Sequence, residues 1–491
     1  MKILLSSVCL ENGTDIQLAL YYLKSYLLKV APSSAVTIRV FNEKRNIPAI
    51  VKEALALKPG LIGFSCYIWN IRKILDICRR LKNIDPRLKI VLGGPEVSPR
   101  AEEILAKEEA VDMVVRGEGE ESFARLIHMG PSRVKGVSFR KGKKIIHNPD
   151  RPLLRDINKI PSPYLGGLFD LQDKSIVDIP LETTRGCAFR CGYCYYHKNL
   201  PTVRYFSLSR VEKELQLILS NEPREVYLMD ATFNANPERA KEILRVFIRH
   251  NRRSNLHVEL KAELVDSEMA YLLSEANANN IEIGIQSTDP KALRVVNRDF
   301  NKERFKKGIR ALNKQGLYYE IQLIDLLPYQ DYKSLMRSLD WLYSLHPAKV
   351  VIFRLAVLPG TALRERAGDF GIEYGRQPPY YAYKSNSMDR NETKKVERLF
   401  YAMDRLYDSR VFQKTLYAFK RKTGVKISAI LEDWVEWEAR FTRHPEDYPE
   451  FLNRKSPVFL QYLCRKHRKP YLYKELLPGL LKTLPPMFYH K

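Results

Sequence analysis

Three cysteines have the spacing that most clearly indicates chemistry. Cys187, Cys191 and Cys194 lie within the segment ETTRGCAFRCGYCYYHKN and follow the pattern C-x3-C-x2-C. Three thiolates on one loop can hold three irons of a 4Fe-4S cluster and leave the fourth iron open. A zinc site with His197 as fourth ligand is the alternative. The other four cysteines are scattered along the chain, which argues against a disulfide framework.

Alternating strand and helix patterns indicate how these residues are positioned. Residues 1–130 alternate short apolar runs with helical periodicity, which predicts an α/β fold with a doubly wound parallel sheet. Residues 131–175 are basic and turn-rich, and we expect a small hairpin and a linker. Residues 176–384 repeat the strand–helix unit about six times, which predicts a (β/α)6-type barrel with its chemistry at the carboxyl ends of the strands. Residues 385–491 have helical and aromatic patterns and predict a mostly α C-terminal domain.

Loops that follow the first strands are the candidate ligand site of the N-terminal region, because ligands of open α/β sheets bind beyond the carboxyl ends of the strands. Glycine pairs there would let a flat ligand approach the backbone closely. Tight turns are the alternative interpretation of these glycines. The candidate residues are Ser6, Ser65, Cys66, Tyr67, Gly93, Gly94, Pro95, Glu96, Gly117, Glu118, Gly119 and Glu120.

Two of the barrel strands carry polar residues where parallel strands are normally apolar on both faces. In LHVELKAEL, Glu259, Lys261 and Glu263 alternate with apolar residues, and in IEIGIQS, Glu282 and Gln286 do the same. Charges inside a barrel are costly unless they serve a site or pair with one another. The pattern therefore predicts a functional barrel interior, with a structural Glu–Lys network as the alternative for any single residue.

Composition limits the class of protein. The chain has 491 residues, 45% of them hydrophobic and 28% charged, which is typical of a globular protein with two or three domains. No run reaches the roughly 18 to 20 apolar residues of a membrane span, and the start MKILLSSVCLENG fits a buried strand better than a signal peptide. We expect a cytoplasmic protein. The net charge of +25 allows nucleic-acid binding but favours a solvated basic surface.

The cysteine segment resembles the radical S-adenosylmethionine (SAM) superfamily, whose signature C-x3-C-x-aromatic-C is met with Tyr193 as the aromatic residue. The resemblance implies that the open iron binds the amino and carboxylate groups of SAM. One-electron reduction then cleaves SAM to methionine and a 5′-deoxyadenosyl radical, and the protein aims that radical. A reducing partner such as flavodoxin or ferredoxin is implied as well.

SAM contacts are implied by the same resemblance, and the catalytic residues remain unassigned. Asp230, in MDATFN, matches an acidic residue near the SAM amino group. The Gln286–Ser287 pair is similar to one that contacts the ribose or carboxylate of SAM, and Arg298 is placed for the carboxylate, with a surface arginine as the alternative. The segment LLPYQD at 326–331 departs from the G-L-P-G turn of many relatives. The full set is Tyr193, Asp230, Glu259, Glu282, Gln286, Ser287 and Arg298.

The loops LGGPEVSP and VVRGEGEES resemble those of the cobalamin-binding radical SAM group, so cobalamin is implied as a further cofactor. The motif D-x-H-x-x-G is absent from 1–130, whose only histidine is His128, so the dimethylbenzimidazole should lie off the cobalt. The resemblance covers nearly the whole chain. It implies methylation of an unactivated carbon in a small-molecule or peptide substrate. Cyclisation or rearrangement, radical chemistry without cobalamin, and RNA modification through the basic C-terminal region are the alternatives.

Overall fold

The structure is a computed structural model that describes residues 1–10, 16–173, 178–440 and 448–484. The chain forms two compact units, and strand β13 passes from one to the other. Unit 1 comprises 1–281, 356–367 and 374–381, and unit 2 comprises 282–355, 368–373 and 382–491. The domain boundaries expected from the sequence stay predictions.

The strands, in chain order, are β1 Lys2–Cys9, β2 Ala35–Asn42, β3 Leu61–Ser65, β4 Lys89–Gly93, β5 Met113–Val115, β6 Val137–Lys141, β7 Lys144–His147, β8 Asp178–Leu181, β9 Thr184–Arg185, β10 Arg204–Tyr205, β11 Glu225–Leu228, β12 Asn255–Leu260, β13 Ala278–Gln286, β14 Tyr319–Asp325, β15 Lys349–Arg354, β16 Glu373–Tyr374 and β17 Ala382–Lys384.

The α-helices are α1 Leu18–Val30, α2 Ile47–Ala56, α3 Ile71–Ile84, α4 Ala101–Lys107, α5 Gly119–Met129, α6 Tyr196–Asn199, α7 Leu208–Leu219, α8 Pro237–His250, α9 Ser267–Glu275, α10 Pro290–Val295, α11 Lys302–Lys314, α12 Tyr332–Tyr343, α13 Ala362–Glu365, α14 Arg390–Met403, α15 Gln413–Thr423, α16 Ile427–Glu438, α17 Tyr448–Lys466 and α18 Leu472–Leu481. A π-helix covers Asp404–Asp408, and short 3-10 helices cover Ser98–Arg100, Pro131–Arg133, Ile157–Lys159, Phe233–Ala235, Ala262–Leu264 and Ala367–Phe370.

The N-terminal part of unit 1 is a seven-stranded sheet in the order β2-β1-β3-β4-β5-β6-β7. Strands β1 to β5 are parallel, which confirms the predicted doubly wound sheet. The predicted hairpin in 131–175 is β6–β7, which extends this sheet antiparallel from β5. Apolar side chains cover both faces: Ile74 and Leu105 lie in one core cluster and Leu20 and Phe123 in the other.

The barrel strands follow in the order β8-β11-β12-β13 in unit 1 and β13-β14-β15 in unit 2. Strands β11 to β14 alternate buried apolar residues with half-buried, mostly polar ones, so one face of each strand is polar. The polar alternation predicted over 259–263 ends early, because β12 stops at Leu260 and a 3-10 helix begins at Ala262. Glu263 therefore does not lie on the strand.

The barrel helices begin at residues whose side chains accept hydrogen bonds from the first free backbone amides. Such caps satisfy donors that have no partner inside the helix, and each typically stabilises a helix by about 1 kcal/mol. The caps of α7 to α12 are Ser207, Asn236, Asp266, Asp289, Asn301 and Asp331.

The C-terminal part of unit 2 is helical from α14 through α18, as the sequence predicts. Trp434, Trp437 and Phe459 are buried and their rings are in contact, so this region has an aromatic core of its own. Across the described ranges, helices are either too short or too polar to cross a lipid bilayer.

Candidate functional site

The loop that carries the three cysteines belongs to unit 1 and begins directly after strand β9. Strand β9 pairs antiparallel with β10, which fixes the start of the loop. Gly186 has a φ of 96°, and a Cβ atom there would lie 2.3 Å from the Thr202 carbonyl oxygen. Glycine is therefore required at this position, both for the conformation and for the close approach of the two backbone segments.

The three thiols lie close enough to influence one another. The pKa of the Cys194 thiol is raised to about 11, mainly by burial, while a hydrogen bond from the Tyr196 amide lowers it and the neighbouring Cys191 and Cys187 raise it. In the described ranges no three His, Cys, Asp or Glu side chains converge on a single metal ion. A 4Fe-4S cluster held by three cysteines takes one thiolate on each of three irons, so its ligands do not converge on a single ion. The zinc alternative with His197 stays open.

A turn at 358–363 contacts the cysteine loop. The Leu363 amide donates a hydrogen bond to the Gly192 carbonyl at 2.9 Å. A Cβ atom on Gly360 would lie 2.7 Å from the Tyr195 ring, so this glycine packs directly on the loop. The sequence PGT predicts only a turn, and its contact with the loop could not be read from the sequence.

Asp230 lies buried at the end of β11, where its carboxylate holds the backbone before the cysteine loop. Its Oδ1 accepts hydrogen bonds from the amides of Thr183 at 2.8 Å and Thr184 at 2.9 Å, and its Oδ2 accepts one from the Thr183 hydroxyl. Burial raises the pKa of Asp230, while these hydrogen bonds lower it. The carboxylate therefore positions β9, and its contact with the SAM amino group stays a prediction.

Asn234 belongs to the same MDATFN segment and is a positioning residue that sequence reasoning missed. Its fully buried amide exchanges two hydrogen bonds with the backbone of Lys261, at 2.9 and 3.0 Å. The Lys261 ammonium in turn lies 4.3 Å from the centre of the Phe189 ring, within the cysteine loop. The end of β12 is thereby fixed next to that loop.

Glu259 lies on the polar face of unit 1, within a set of paired side chains. The Tyr227 hydroxyl donates a hydrogen bond to Glu259 at 3.0 Å, and the Tyr227 ring stacks on His257. His257 Nδ1 lies 3.3 Å from Glu225, and this contact holds the pKa of Glu225 below its ordinary value. The structural alternative of mutual pairing therefore applies to Glu259, whose contact with SAM stays a prediction.

Three of the predicted SAM contacts lie together on the polar side of β13 in unit 2. Glu282 accepts a hydrogen bond from Gln322 at 2.6 Å. Gln286 has a φ of 72°, and its buried Oε1 has no hydrogen-bond partner in the described chain, but its contact with SAM stays a prediction. The Arg298 guanidinium donates to the carbonyls of Gly284 and Ile285, so it lies against β13 and not on the surface.

Ser287 is fully buried in unit 2 and its hydroxyl already has partners. It accepts hydrogen bonds from the Gln330 side chain at 3.0 Å and the Asp289 amide at 3.1 Å. Gln330 lies in LLPYQD, where the sequence departs from the pattern of relatives. This departure is the signal that could have identified Gln330 as part of the same loop cluster.

A cavity of about 160 Å³ lies in unit 1 between the sheet and helices α1 and α5, and it extends to the loops that follow β3, β4 and β5. Its walls are mostly apolar and include Leu5, Leu23, Val115 and Phe123. The structure places eight of the twelve candidate loop residues on its wall: Ser65, Tyr67, Gly93, Gly94, Pro95, Gly117, Gly119 and Glu120. The other four are not on the wall: Ser6, Cys66 and Glu96 are buried, and Glu118 is half-buried.

Gly94 shapes the rim of the cavity. Its φ is 108°, and a Cβ atom there would lie 2.5 Å from the Cys66 carbonyl oxygen. Cys66 is fully buried, and burial raises the pKa of its thiol well above the ordinary value. This favours the interpretation of Cys66 as a small buried residue. Tyr67 stacks on the half-exposed Trp69 with 4.5 Å between ring centres.

Glu118 and Glu120 form a buried ion-pair cluster with arginines of β9 and β10. Arg185 contacts Glu118 at 3.2 Å, Glu120 at 2.7 Å and Glu182 at 2.9 Å. Arg204 contacts Glu118 at 2.9 Å. These carboxylates therefore tie the loop before α5 to the strands that begin the cysteine loop, and their contact with cobalamin stays a prediction.

Glu96 also has protein partners. Its Oε1 accepts hydrogen bonds from the Tyr380 hydroxyl and from Arg100, and its side chain is about 1% exposed. Burial raises the pKa of Glu96, while these partners lower it. The sequence could not reveal this contact, because Tyr380 lies 284 residues away along the chain.

Comparisons with known proteins identify two family domains in this chain. The B12-binding domain model matches residues 18–127, and the Radical SAM superfamily model matches residues 181–342. A curated relative, the 2-(S-pantetheinyl)-carbapenam-3-carboxylate methyltransferase of Streptantibioticus cattleyicolor, is 26% identical over 68% of this chain and 53% of its own length. The chain thus spans about half the length of that relative.

Two solved structures have a similar fold. The cobalamin-dependent SAM radical enzyme OxsB, solved with aqua-cobalamin bound, covers 98% of this chain and 80% of its own, with a TM-score of 0.68 and 17% identity. The radical SAM methyltransferase TsrM of Kitasatospora setae, solved with cobalamin and a [4Fe-4S] cluster, covers 77% of this chain and 78% of its own, with a TM-score of 0.61 and 18% identity.

Proposed function

Because the chain belongs to the radical SAM proteins that carry a B12-binding domain, we propose that it methylates an unactivated carbon with the aid of a 4Fe-4S cluster, SAM and cobalamin. The observation that carries the proposal is the presence of a three-cysteine loop and a glycine-rimmed apolar cavity within the same compact unit. The substrate is a small molecule or a peptide.

The cysteine loop suits a cluster with one open iron. Cys187, Cys191 and Cys194 would each bind one iron, and no fourth cysteine lies on the loop. Tyr193 follows the signature at the position next to Cys194. In unit 2, the unpartnered Oε1 of Gln286 is an acceptor suited to a hydroxyl or ammonium group of SAM.

The cavity would suit the flat dimethylbenzimidazole base of a bound cobalamin. Its apolar wall would take up the rings, and its glycine rim leaves the backbone accessible. The single histidine of 1–130 is His128, which is exposed near the end of α5 and is not on the cavity wall. No histidine of 1–130 therefore lies on the cavity wall.

When bound, the cluster would supply the electron that cleaves SAM, and cobalamin would carry the methyl group to the substrate. The protein's own part is to hold both groups and to keep water away. The ion-pair cluster of Arg185 and Arg204 fixes the loop before α5, and Asp230 fixes the backbone of Thr183 and Thr184 at the start of the cysteine loop. The relative from S. cattleyicolor is a methyltransferase, which supports methyl transfer.

Metal analysis of protein purified anaerobically from cells fed with cobalamin tests the cofactors. We expect about four irons and one cobalt per chain, with the visible spectrum of a base-off cobalamin. Four irons without cobalt would instead support radical chemistry that does not use cobalamin.

Two variants separate the cofactors. Cys191→Ala should lose iron and form no 5′-deoxyadenosine, while it keeps cobalt. Gly93→Leu should lose cobalt and keep iron, because an added Cβ there meets only ordinary contacts with Val115 and a longer side chain would enter the cavity. Loss of both metals in both variants would contradict separate sites for the two cofactors.

Product analysis then tests the reaction. Methyl transfer consumes two SAM molecules and yields one S-adenosylhomocysteine, one methionine and one 5′-deoxyadenosine for each methylated product. Incubation of the loaded enzyme with SAM and a reductant should therefore release S-adenosylhomocysteine as well as 5′-deoxyadenosine. Release of 5′-deoxyadenosine without S-adenosylhomocysteine would support cyclisation or rearrangement instead.

A further inference from the structure

Residues 356–367 and 374–381, here called the connecting segment, belong to unit 1 and contact both candidate cofactor loops. On one side, the segment contacts the loop at 93–100, whose Gly93, Gly94 and Pro95 line the cavity. On the other side, it contacts the cysteine loop at 187–199. Nothing in the sequence or in the comparisons assigns a role to this segment.

The contact with the cavity loop is made by Tyr380 and Gly360. Buried Tyr380 donates its hydroxyl hydrogen to Glu96, and Arg100 lies against the same hydroxyl. A Cβ atom on Gly360 would lie 2.8 Å from the Cβ atom of Pro99. The Glu96 amide also donates a hydrogen bond to the Cys66 carbonyl at 3.3 Å. This bond fixes the backbone from which the Glu96 carboxylate extends.

The contact with the cysteine loop comes from the same turn. Gly360 packs on the Tyr195 ring, and the Leu363 amide donates to the Gly192 carbonyl. Within the segment, the Val357 amide donates to the Tyr380 carbonyl at 3.0 Å. Arg364 donates to the Val357 carbonyl at 2.8 Å, and its guanidinium lies 4.8 Å from the centre of the Tyr380 ring. The two parts of the segment therefore form one connected body.

From these contacts we infer that the connecting segment fixes the spacing between the two cofactor loops, and that Glu96, Tyr380 and Gly360 are positioning residues for the transfer between them. This inference rests on the proposed function. Its physical basis is that Gly360 touches both loops at distances that leave no room for even one methyl group. A buried charged hydrogen bond between Glu96 and Tyr380 then holds the segment against the cavity loop.

A distance measurement tests the inference without reference to activity. Pulsed electron paramagnetic resonance can measure the separation between cob(II)alamin and the reduced cluster in the loaded protein. We expect one narrow distance in the wild type and a broader or displaced distribution in Tyr380→Phe, Glu96→Gln and Gly360→Ala. Tyr381→Phe and Glu109→Gln are matched controls, because both side chains are exposed, and should leave the distribution unchanged. An unchanged distribution in all three test variants would overturn the inference.

The product ratio supplies a second readout. If the spacing matters, the ratio of S-adenosylhomocysteine to 5′-deoxyadenosine should change at least fivefold in Tyr380→Phe at wild-type iron and cobalt content. A parallel loss of both products at an unchanged ratio would show that the residue only supports the fold, and would overturn the positioning role.

Hydrogen exchange of the apo protein separates this inference from the proposed function. Tyr380→Phe and Gly360→Ala should each speed amide exchange in a peptide that covers 187–199, because that loop loses its support. If the wild type binds no cobalt, the proposed function fails, and faster exchange in the variants would still show the mechanical connection. Unchanged exchange in both variants would show that the segment does not hold the cysteine loop.

Discussion

Replacing Arg185 with Met should destabilise unit 1 through the carboxylates that the guanidinium neutralises. The Arg185 side chain is 7% exposed and contacts Glu118, Glu120 and Glu182. Glu118 keeps its ion pair with Arg204, so only Glu120 and Glu182 lose their ion-pair partner in the variant. Methionine keeps most of the apolar stem and removes the charge, so packing changes little.

The expected decrease in the free energy of unfolding follows from the loss of one buried ion pair, that between Arg185 and Glu120. Burial raises the pKa of Glu182 to about 7, although Arg185 lowers it, so this group can take up a proton once the arginine is gone. Glu120, which is 5% exposed, is left without its cation, and breaking one buried ion pair costs about 3–5 kcal/mol. At about 2 °C per kcal/mol for a large domain, the melting temperature should fall by about 6–10 °C.

Scanning calorimetry on protein without added cofactors measures this change. Arg224→Met is the matched control: its partner is Asp178, the arginine is 64% exposed, and the cost should stay below about 1 kcal/mol. The deficit of Arg185→Met should be larger at pH 8 than at pH 6, because loss of the guanidinium raises the pKa of Glu182 further and ionisation then opposes folding.

A double variant decides whether buried charge is the cause. Glu120→Gln should lower the stability of the wild type, because it breaks the pair with Arg185. In the Arg185→Met background the same change should raise stability, because it removes the uncompensated carboxylate. A Glu120→Gln effect of the same sign and size in both backgrounds would contradict the electrostatic explanation.

Three further predictions follow from single contacts. Between pH 5 and pH 7 the folded Glu182, with a pKa of about 7, holds most of its proton while the unfolded chain releases it, so the wild type should lose about 2 kcal/mol of stability as pH rises. Glu182→Gln should abolish this loss in urea titrations, and an unchanged pH slope would contradict the prediction. Gly186→Ala should lower the iron content after reconstitution and leave the cobalt content unchanged, because the new Cβ would lie 2.3 Å from the Thr202 carbonyl oxygen. Gly368→Ala is the control: the space around its Cβ is open, so this variant should keep its iron. Asn234→Ala should cost about 1–3 kcal/mol in urea unfolding, because it leaves the Lys261 amide and carbonyl without their partner, and a cost near zero would argue against that role.

Local patterns were sufficient for the fold class and the position of the cysteine loop. The alternation of short apolar runs with helical periodicity predicted β1 to β5 and the barrel strands, because burial of one face depends on residues two or four positions apart. The cysteine spacing placed Cys187, Cys191 and Cys194 on one loop, since residues separated by three or four positions cannot lie far apart. The same reasoning extended too far at 259–263, where a 3-10 helix replaced the expected strand.

The partners of the charged residues depend on contacts between distant parts of the chain. Glu118 is 86 residues from Arg204 and Glu96 is 284 residues from Tyr380, and no local pattern encodes such pairs. The sequence marked these glutamates as ligand contacts because they follow strands, where ligands bind. Folding brought arginines and a tyrosine to the same place, and a buried carboxylate is stable only beside such a donor. The types and spacing of the residues thus indicated the chemistry and the order of the elements, whereas packing determined which polar groups pair and which, such as the Oε1 of Gln286, have no partner in the described chain.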